Sequence, residues 1–198
     1  MALKPSTRNI TRLFRQATEE QIAAGAEWYA EAHAIAVRFA DTYGVTVSVA
    51  AGVIAALSPN NSWGANVKLA ERYIAAGGLD AGYFRQGLAK ARRIMDGEDP
   101  ITVLNGLKVT NFYLSILTEG REGICIDRHA ASLAAGVRVT DGIHLTPKQY
   151  ATFAAAYHRA HAILVKEGHA VTVAQVQSVT WKLWRNKFWS EGAFDLAA

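Results

Sequence analysis

Cysteine is almost absent from this chain, and its scarcity excludes several kinds of site. The 198 residues contain one cysteine, Cys125, so an internal disulfide and any four-cysteine zinc or iron–sulfur site are excluded. A chain without disulfides is typical of a reducing compartment. We therefore expect a cytoplasmic protein, or one in the host cytoplasm if the gene is viral.

Long apolar runs are absent as well. The longest candidate, Val45 to Leu57, is shorter than the roughly 20 residues that span a bilayer, and it is closed by Ser58-Pro59. The N-terminal stretch MALKPSTRNITRLFRQ has no apolar segment of the signal-peptide type. We expect no membrane partner.

Metal-ligand clusters are also lacking. His158 and His161 are three residues apart, a spacing that metal ligands use, but no Cys, Asp or Glu stands beside them. We expect no metal and no other cofactor.

What the chain does contain is enough apolar material for a buried core. Hydrophobic residues make up 51% and charged residues 19%, which is a globular composition. The net charge of +4 is compatible with a polyanionic partner but does not require one. We treat residues 1–198 as a single globular unit and expect a monomer.

Helix-start and helix-stop signals recur along the chain, whereas no stretch alternates like a strand between hairpin turns. The pattern predicts an all-α protein of about nine helices, with Val45 to Leu57 as a central buried one. Predicted helices run from Thr18 to Gly44, Val45 to Leu57, Ser62 to Gly77, Leu79 to Met95, Asp99 to Asn105, Leu107 to Leu117 and Asp127 to Gly136, and two more begin at Thr146 and Thr172.

The segment VLNGLKVTN, residues 103–111, places a lysine directly after an Asn105-Gly106 turn. A helical hairpin of this kind leaves backbone N–H groups unpaired near a helix N-terminus, and these suit a phosphate oxygen. Taken alone, the turn is equally explained as an ordinary corner between helices, and Lys108 as a solvated surface residue.

The next feature along the chain strengthens the functional interpretation. Asp127 follows Lys108 by nineteen residues, within GICIDRHAASLAAG. With this block the sequence resembles the helix–hairpin–helix DNA glycosylase superfamily, in particular endonuclease III and archaeal 8-oxoguanine DNA glycosylase. Gly106-Leu107-Lys108 matches the family's second hairpin glycine, one residue and lysine, and Asp127-Arg128-His129 matches its D-R-H. The resemblance implies that Lys108 is the nucleophile and Asp127 the catalytic aspartate.

The resemblance extends upstream of the hairpin. Residues 56–62, ALSPNNS, are similar to the family's L-S-x-Q-T corner, so Asn60 would enter the gap left by a flipped base, although an Asx turn explains it equally well. Residues 82–95 look like a further family helix. The residues implied to bind DNA are Asn60, Asn105, Gly106, Leu107, Arg128 and His129. For Asp127 an N-cap role is adequate by itself, and Arg128 and His129 also have a structural interpretation.

The likeness covers residues 45–136 and implies a two-lobed helix–hairpin–helix glycosylase-like fold. Its hairpin spans about residues 99–118, and residues 1–44 and 137–198 would complete the second lobe. Leu104 stands where the family has its first hairpin glycine, and the lysine-to-aspartate spacing is one residue longer than in the family. The iron–sulfur cysteines of endonuclease III are missing. A divergent, phage-type member fits these departures.

The implied function is that of a DNA glycosylase with AP lyase activity, which flips a damaged or modified base into an inter-lobe cleft. A carboxylate stabilises the oxocarbenium-like transition state, and a lysine amine adds to C1′ to form a Schiff base. Because only a neutral amine attacks, we expect Lys108 to lie in an apolar setting formed by Leu107, Val109 and Phe112. The alternatives are a related enzyme acting on a modified nucleotide, and a non-catalytic DNA-binding or host-interaction protein.

Two sets of basic residues have both a functional and a structural interpretation. Phosphate contacts and a solvated helix face explain Arg85, Lys90, Arg92 and Arg93 about equally well. The C-terminal run from Gln177 to Trp189 mixes bases with aromatics and suits either nucleic acid or the core.

Overall fold

Helices form all of the regular secondary structure in the part of the chain that the computed structural model describes, which is residues 3–78, 84–140 and 142–188. This confirms the all-α prediction. The ten helices within these ranges are α1 Thr7–Phe14, α2 Glu19–Tyr43, α3 Val47–Ala56, α4 Trp63–Ala75, α5 Arg85–Met95, α6 Pro100–Leu104, α7 Leu107–Leu117, α8 Arg128–Ala135, α9 Pro147–Lys166 and α10 Val173–Phe188.

The described residues divide into two compact units. Unit 1 combines residues 3–29 with residues 124–188, and unit 2 consists of residues 30–123. The chain passes from unit 1 to unit 2 within α2. The assignment of residues 45–136 as a glycosylase-like core stays a prediction.

Capping residues predicted most helix starts correctly. Thr146 accepts a hydrogen bond from the N–H of Gln149, and the side chain of Gln149 accepts one from the N–H of Thr146, which is a complete capping box. Thr18 and Thr172 make the same reciprocal arrangement with Gln21 and Gln175. Because each side chain pairs an otherwise orphaned backbone donor, the start of each helix is fixed locally.

One helix was not predicted, and the predicted start of another was wrong. Helix α1 was not predicted; Ser6 at its N-cap makes no side-chain capping bond, and the helix is held by burial of Ile10 and Phe14 in unit 1. The helix predicted from Leu79 begins only at Arg85, since Phe84 has an extended ψ of 118°. The first part of that prediction, residues 79–83, lies outside the described residues.

Helix α3 forms the centre of unit 2, as predicted. Residues from Ala50 to Ala56 are all buried, and the helix packs against α4, α5, α6 and α7. Its small side chains allow this crowding: a Cβ on Gly52 would lie 3.1 Å from both Ile94 and Pro100. The pair of helices that forms the hairpin, α6 and α7, is therefore set against a rigid, tightly packed core.

Unit 1 contains α1, α8, α9, α10 and the beginning of α2. Phe14, Phe153, Tyr157 and Val179 are buried together in its core. Helix α10 also approaches the start of α2 closely, because the Ser178 hydroxyl donates to the carbonyl of Gly25 at 2.6 Å.

No single helix within the described residues is long and apolar enough to cross a membrane. One pair of helices, Glu19–Tyr43 with Val47–Ala56, passes that test only when taken together, and it is bent by 117°. Since α3 is buried in the core of unit 2, its apolar character is explained by packing.

Candidate functional site

The predicted helical hairpin is present in unit 2. Asp99 caps α6 by accepting a hydrogen bond from the N–H of Ile101 at 3.0 Å. The helix ends at Asn105, which adopts the left-handed conformation (φ 39°, ψ 6°). Gly106 then serves as N-cap of α7, with extended dihedrals and no side-chain capping bond. The turn therefore leads straight into a helix N-terminus that no side chain caps.

The residue in place of the family's first hairpin glycine, Leu104, belongs to the protein core. Its side chain is fully buried at the end of α6, and its carbonyl accepts the N–H of Gly106 at 2.6 Å. The left-handed residue of the turn is Asn105, one of the few non-glycine residues that tolerate this conformation. Leu104 is thus a hydrophobic anchor at the end of α6.

Lys90 of α5 stabilises this turn through two hydrogen bonds. Its Nζ donates to the carbonyl oxygen of Leu104 and to Oδ1 of Asn105, each at 2.9 Å. Burial, and then the nearby positive charge of Arg93, lower the pKa of Lys90. This side chain is a structural clamp on the hairpin, a role that sequence reasoning did not assign to it.

The neighbouring arginines of α5 are engaged in exposed ion pairs. Nε of Arg92 lies 2.9 Å from Oδ2 of Asp96, and Nε of Arg93 lies 2.8 Å from Oε1 of Glu98. The pKa of Glu98 is lowered, mainly because it accepts this hydrogen bond. Of the two interpretations left open, a solvated and locally paired helix face accounts for Arg92 and Arg93.

Lys108 lies in the first turn of α7, and the expectation of an apolar setting for it was wrong. The side chain is exposed, and the neighbouring Leu107 is 44% exposed. Phe112 packs edge-on against Trp63, with ring centroids 6.2 Å apart. Because α7 turns its apolar residues towards the core of unit 2, its first two residues face water.

The predicted intercalating corner follows α3. Asn60 is exposed and has a positive φ of 62°. The corner is held on either side by Ser58, whose Oγ donates to the carbonyl of Ala55 at 2.9 Å, and by Asn61, whose Nδ2 donates to the carbonyl of Leu57 at 3.0 Å. The backbone thus presents Asn60 at the tip of a fixed turn.

Asp127 is the N-cap of α8 in unit 1, as predicted. Its Oδ1 accepts the N–H of Ala130 at 2.7 Å, and its Oδ2 accepts the indole N–H of Trp181 at 2.8 Å. With one donor on each oxygen, the half-buried carboxyl group is held in one orientation.

The segment leading into Asp127 is fixed by a tyrosine that sequence reasoning missed. The hydroxyl of Tyr150 donates to the carbonyl of Ile124 at 2.6 Å and accepts the N–H of Ile126 at 3.0 Å. Burial raises the pKa of Tyr150 far above its usual range, so the hydroxyl keeps its proton and both bonds. The position of Asp127 is thus set from the preceding residues as well as from the helix.

Two further predicted residues lie beside Asp127. Arg128 donates through Nη1 to the carbonyl of Thr140 at 2.6 Å, which agrees with its structural interpretation. His129 is buried, 9% exposed, and meets the Trp181 ring edge-on at 6.0 Å. The burial of His129 favours its structural interpretation, and a DNA contact from either residue stays a prediction.

Trp181 carries a second neighbour, Arg185. The guanidinium carbon of Arg185 lies 4.7 Å from the Trp181 ring centroid, within the range of a cation–π contact. Burial lowers the pKa of Arg185, while the Asp127 carboxylate acts in the opposite direction. A cation, an indole and a carboxylate therefore stand next to one another in unit 1.

No cluster of three metal-ligating side chains occurs among the described residues. Of the histidine pair on α9, His161 bonds through Nε2 to the carbonyl of Val171 at 2.8 Å. This contact gives His161 a structural role.

The predicted site residues fall into two groups. Asn60, Asn105, Gly106, Leu107 and Lys108 belong to unit 2, and Asp127, Arg128 and His129 belong to unit 1. The sequence signals did not identify Lys90 as part of the hairpin group, nor Tyr150 and Trp181 as part of the aspartate group. Lys90 and Trp181 were considered only as members of basic or aromatic runs.

The described residues define an all-α protein of two helical units, with a helical hairpin in one and a doubly hydrogen-bonded, N-capping aspartate in the other. The chain belongs to DUF7178, a family of unknown function, whose model matches residues 1–188. Comparison with curated proteins and with solved structures gives no match.

Proposed function

We propose that this protein is a DNA glycosylase of the helix–hairpin–helix type with AP lyase activity. The observation that carries the proposal is the α6–Asn105-Gly106–α7 hairpin, with an exposed lysine in the first turn of α7. Asp127 supports it, because this residue follows at about the family's spacing and also begins a helix. The two-lobed glycosylase fold is part of the same proposal.

The state of Asp127 suits the electrostatic part of the reaction. Cleavage of a C1′–N bond builds positive charge on the sugar, and a fixed carboxylate stabilises that charge without having to reorient. Two N–H donors, one on each carboxyl oxygen, hold the Asp127 side chain in place. Its proposed role is that of the anion that faces the developing oxocarbenium ion.

Lys108 is the proposed nucleophile. Its exposed amine is accessible to a nucleotide, and addition to C1′ would displace the base and form a Schiff base, from which β-elimination cleaves the strand. Because the Lys108 side chain is exposed and not enclosed by apolar neighbours, we expect a slow lyase step.

The hairpin is the proposed phosphate-binding element. Helix α7 starts without a side-chain cap, so its first backbone N–H groups and the positive end of its dipole are available to an anion. Lys90 adds a fixed positive charge at the same turn. These features account for phosphate binding without base-specific contacts.

Borohydride trapping tests the proposal. The protein is incubated with duplexes that carry an abasic site or one of a panel of modified bases, and borohydride then reduces any Schiff base to a covalent adduct. We expect an adduct with the wild type and none with Lys108→Gln. Lys148→Gln is the matched control, because Lys148 is also exposed and is also the second residue of a helix; it should trap like the wild type.

The outcomes separate the alternatives. Base excision without an adduct would keep the glycosylase and remove Lys108 from its role. Activity on free modified nucleotides but not on DNA would select the nucleotide enzyme. Neither excision nor an adduct, with DNA binding unchanged in Lys108→Gln, would select the non-catalytic DNA-binding protein.

A further inference from the structure

We propose that Trp181 is a positioning residue for Asp127, an inference that rests on the proposed glycosylase function. The indole N–H of Trp181 donates to Oδ2 of Asp127 at 2.8 Å. The other carboxylate oxygen accepts the N–H of Ala130. With one donor on each oxygen, rotation of the carboxylate about its Cβ–Cγ bond would break both bonds.

The two bonds differ in what they can do. The bond from Ala130 is the ordinary N-cap bond, which any aspartate at a helix start makes for the sake of the helix. The bond from Trp181 crosses from α10 to α8 and adds nothing to helix capping. It fixes the second carboxyl oxygen, which the capping bond does not hold.

The indole itself is held in place. Arg185 stacks on it at 4.7 Å, and His129 meets it edge-on at 6.0 Å. Because Arg185 is one helical turn after Trp181 on α10, the two side chains lie on the same face of the helix. These two contacts restrict the Trp181 ring, so its N–H stays directed at Asp127.

The expected consequence is specific to charge. Suppose that Trp181 orients the Asp127 carboxylate towards a developing sugar cation. Removing the indole N–H should then weaken binding of a cationic sugar analogue and leave binding of a neutral sugar analogue unchanged. A purely structural tie between α10 and α8 would instead lower the stability of unit 1 and weaken both interactions alike.

Binding of two abasic-site analogues distinguishes these roles. One duplex carries a pyrrolidine analogue, which is cationic at neutral pH, and the other carries a neutral tetrahydrofuran analogue. We expect the wild type to prefer the pyrrolidine duplex. Trp181→Phe, which keeps a ring for Arg185 but lacks the N–H, should lose about tenfold or more of that preference. Its affinity for the tetrahydrofuran duplex should stay within about twofold.

Trp184→Phe is the matched control. Trp184 lies on the same helix, and among the described residues its buried Nε1 has no acceptor, so removal of this N–H should leave the preference unchanged. Trp181→His keeps an N–H on a smaller ring and should retain part of the preference. If Trp181→Phe fails to fold, Trp181→Met, which also lacks the N–H, takes its place and should show the same loss of preference.

The outcomes separate this inference from the proposed function. A wild type that binds neither duplex overturns the proposed function and this inference with it. A wild type that prefers the pyrrolidine duplex, with Trp181→Phe showing the same preference, overturns the inference alone. Equal losses on both duplexes, accompanied by a lower melting temperature, would reduce Trp181 to a structural tie and would likewise overturn it.

Discussion

At the scale of single residues, neither backbone strain nor a close contact requires a glycine at position 106, although glycine is a favourable N-cap. The φ of Gly106, −118°, is open to any residue, and a Cβ placed there would meet only the carbonyl oxygen of Leu104, at 3.7 Å. Gly136 is different, because it combines a φ of +73° with a close approach to Asn9. A glycine that the backbone does not need is explained if something outside the chain approaches it, as the proposed phosphate does.

Replacing Gly106 by alanine separates these reasons. Gly106→Ala should change the free energy of unfolding by less than about 1 kcal/mol, because neither backbone strain nor a clash opposes it. It should weaken binding of an abasic-site duplex severalfold, since the added methyl group obstructs the α7 N-terminus. Chemical denaturation and fluorescence anisotropy measure the two quantities.

A suitable control is Gly142→Ala, at a glycine of unit 1 that has no positive φ and where an added methyl group would meet no atom within 4 Å. It should alter neither quantity. Equal duplex affinity in wild type and Gly106→Ala would argue against phosphate binding at the hairpin.

The sequence predicted residues whose signal is local and missed those whose partner is distant. Asp127 as an N-cap could be predicted because the helix that it caps follows directly. The partner of Trp181 lies 54 positions away along the chain, and that of Lys90 lies 14 or 15 away. The sequence around Trp181 or Lys90 contains no pattern that predicts these hydrogen-bond partners. The exposure of Lys108 was missed for a similar reason. Apolar residues next to it in the sequence suggested an apolar setting, but the side chains of α7 that face the core leave Lys108 in water.

At the scale of elements, caps predicted helices better than composition did. Thr18, Thr146 and Thr172 marked true helix starts, because a side chain that pairs a backbone donor works without tertiary contacts. Helix α1 has no such cap and exists because Ile10 and Phe14 are buried. Helices of the first kind can be predicted from sequence, whereas those of the second kind depend on packing.

The crossing of α2 and α10 gives a prediction at this scale. A Cβ on Gly25 would lie 2.7 Å from the Cα of Val179 and would also clash with its side chain. Gly25→Ala should therefore lower the free energy of unfolding by about 1–3 kcal/mol. This loss is expected although alanine is the better helix former by about 1 kcal/mol.

Ala23→Gly on the same helix isolates the propensity effect. Ala23 is exposed, so its replacement should cost only the intrinsic preference of about 1 kcal/mol. Both variants are compared with wild type by urea denaturation. A Gly25→Ala protein more stable than wild type would show that α2 and α10 can move apart without loss.

At the scale of the whole molecule, net charge is modest and part of the positive charge is paired. The net charge is +4, while arginines such as Arg15, Arg92 and Arg93 form exposed ion pairs with carboxylates. Affinity for DNA would therefore have to come from lysines and arginines outside these ion pairs and from helix N-termini. The number of phosphates that they contact sets how many counterions binding releases.

Salt dependence measures that number. If the proposed function holds, affinity for an undamaged 20-base-pair duplex, about two helical turns, should fall at least about tenfold between roughly 50 and 200 mM salt. Fluorescence anisotropy at several salt concentrations gives the slope, and Lys148→Gln gives the effect of an uninvolved lysine. Binding that is independent of salt would point away from phosphate contacts.

The helical class of the whole chain could be predicted, but the grouping of its helices could not. Capping signals and the absence of strand alternation suffice for an all-α fold. The association of residues 3–29 with residues 124–188 depends on contacts such as that of Ser178 with Gly25. Serine and glycine occur in many structural settings, so the sequence alone does not predict a hydrogen bond between these two residues.

The hydroxyl of Tyr150 has a consequence for how the aspartate is reached. The Tyr150 hydroxyl donates a hydrogen bond to the carbonyl of Ile124 and accepts one from the N–H of Ile126. One side chain thus pairs the backbone groups of this stretch, as a neighbouring strand would do in a β-sheet. A non-helical, buried stretch can thereby exist inside a helical protein without orphaned peptide groups. Tyr150 thus fixes the position of Asp127 through the backbone of the residues that precede it.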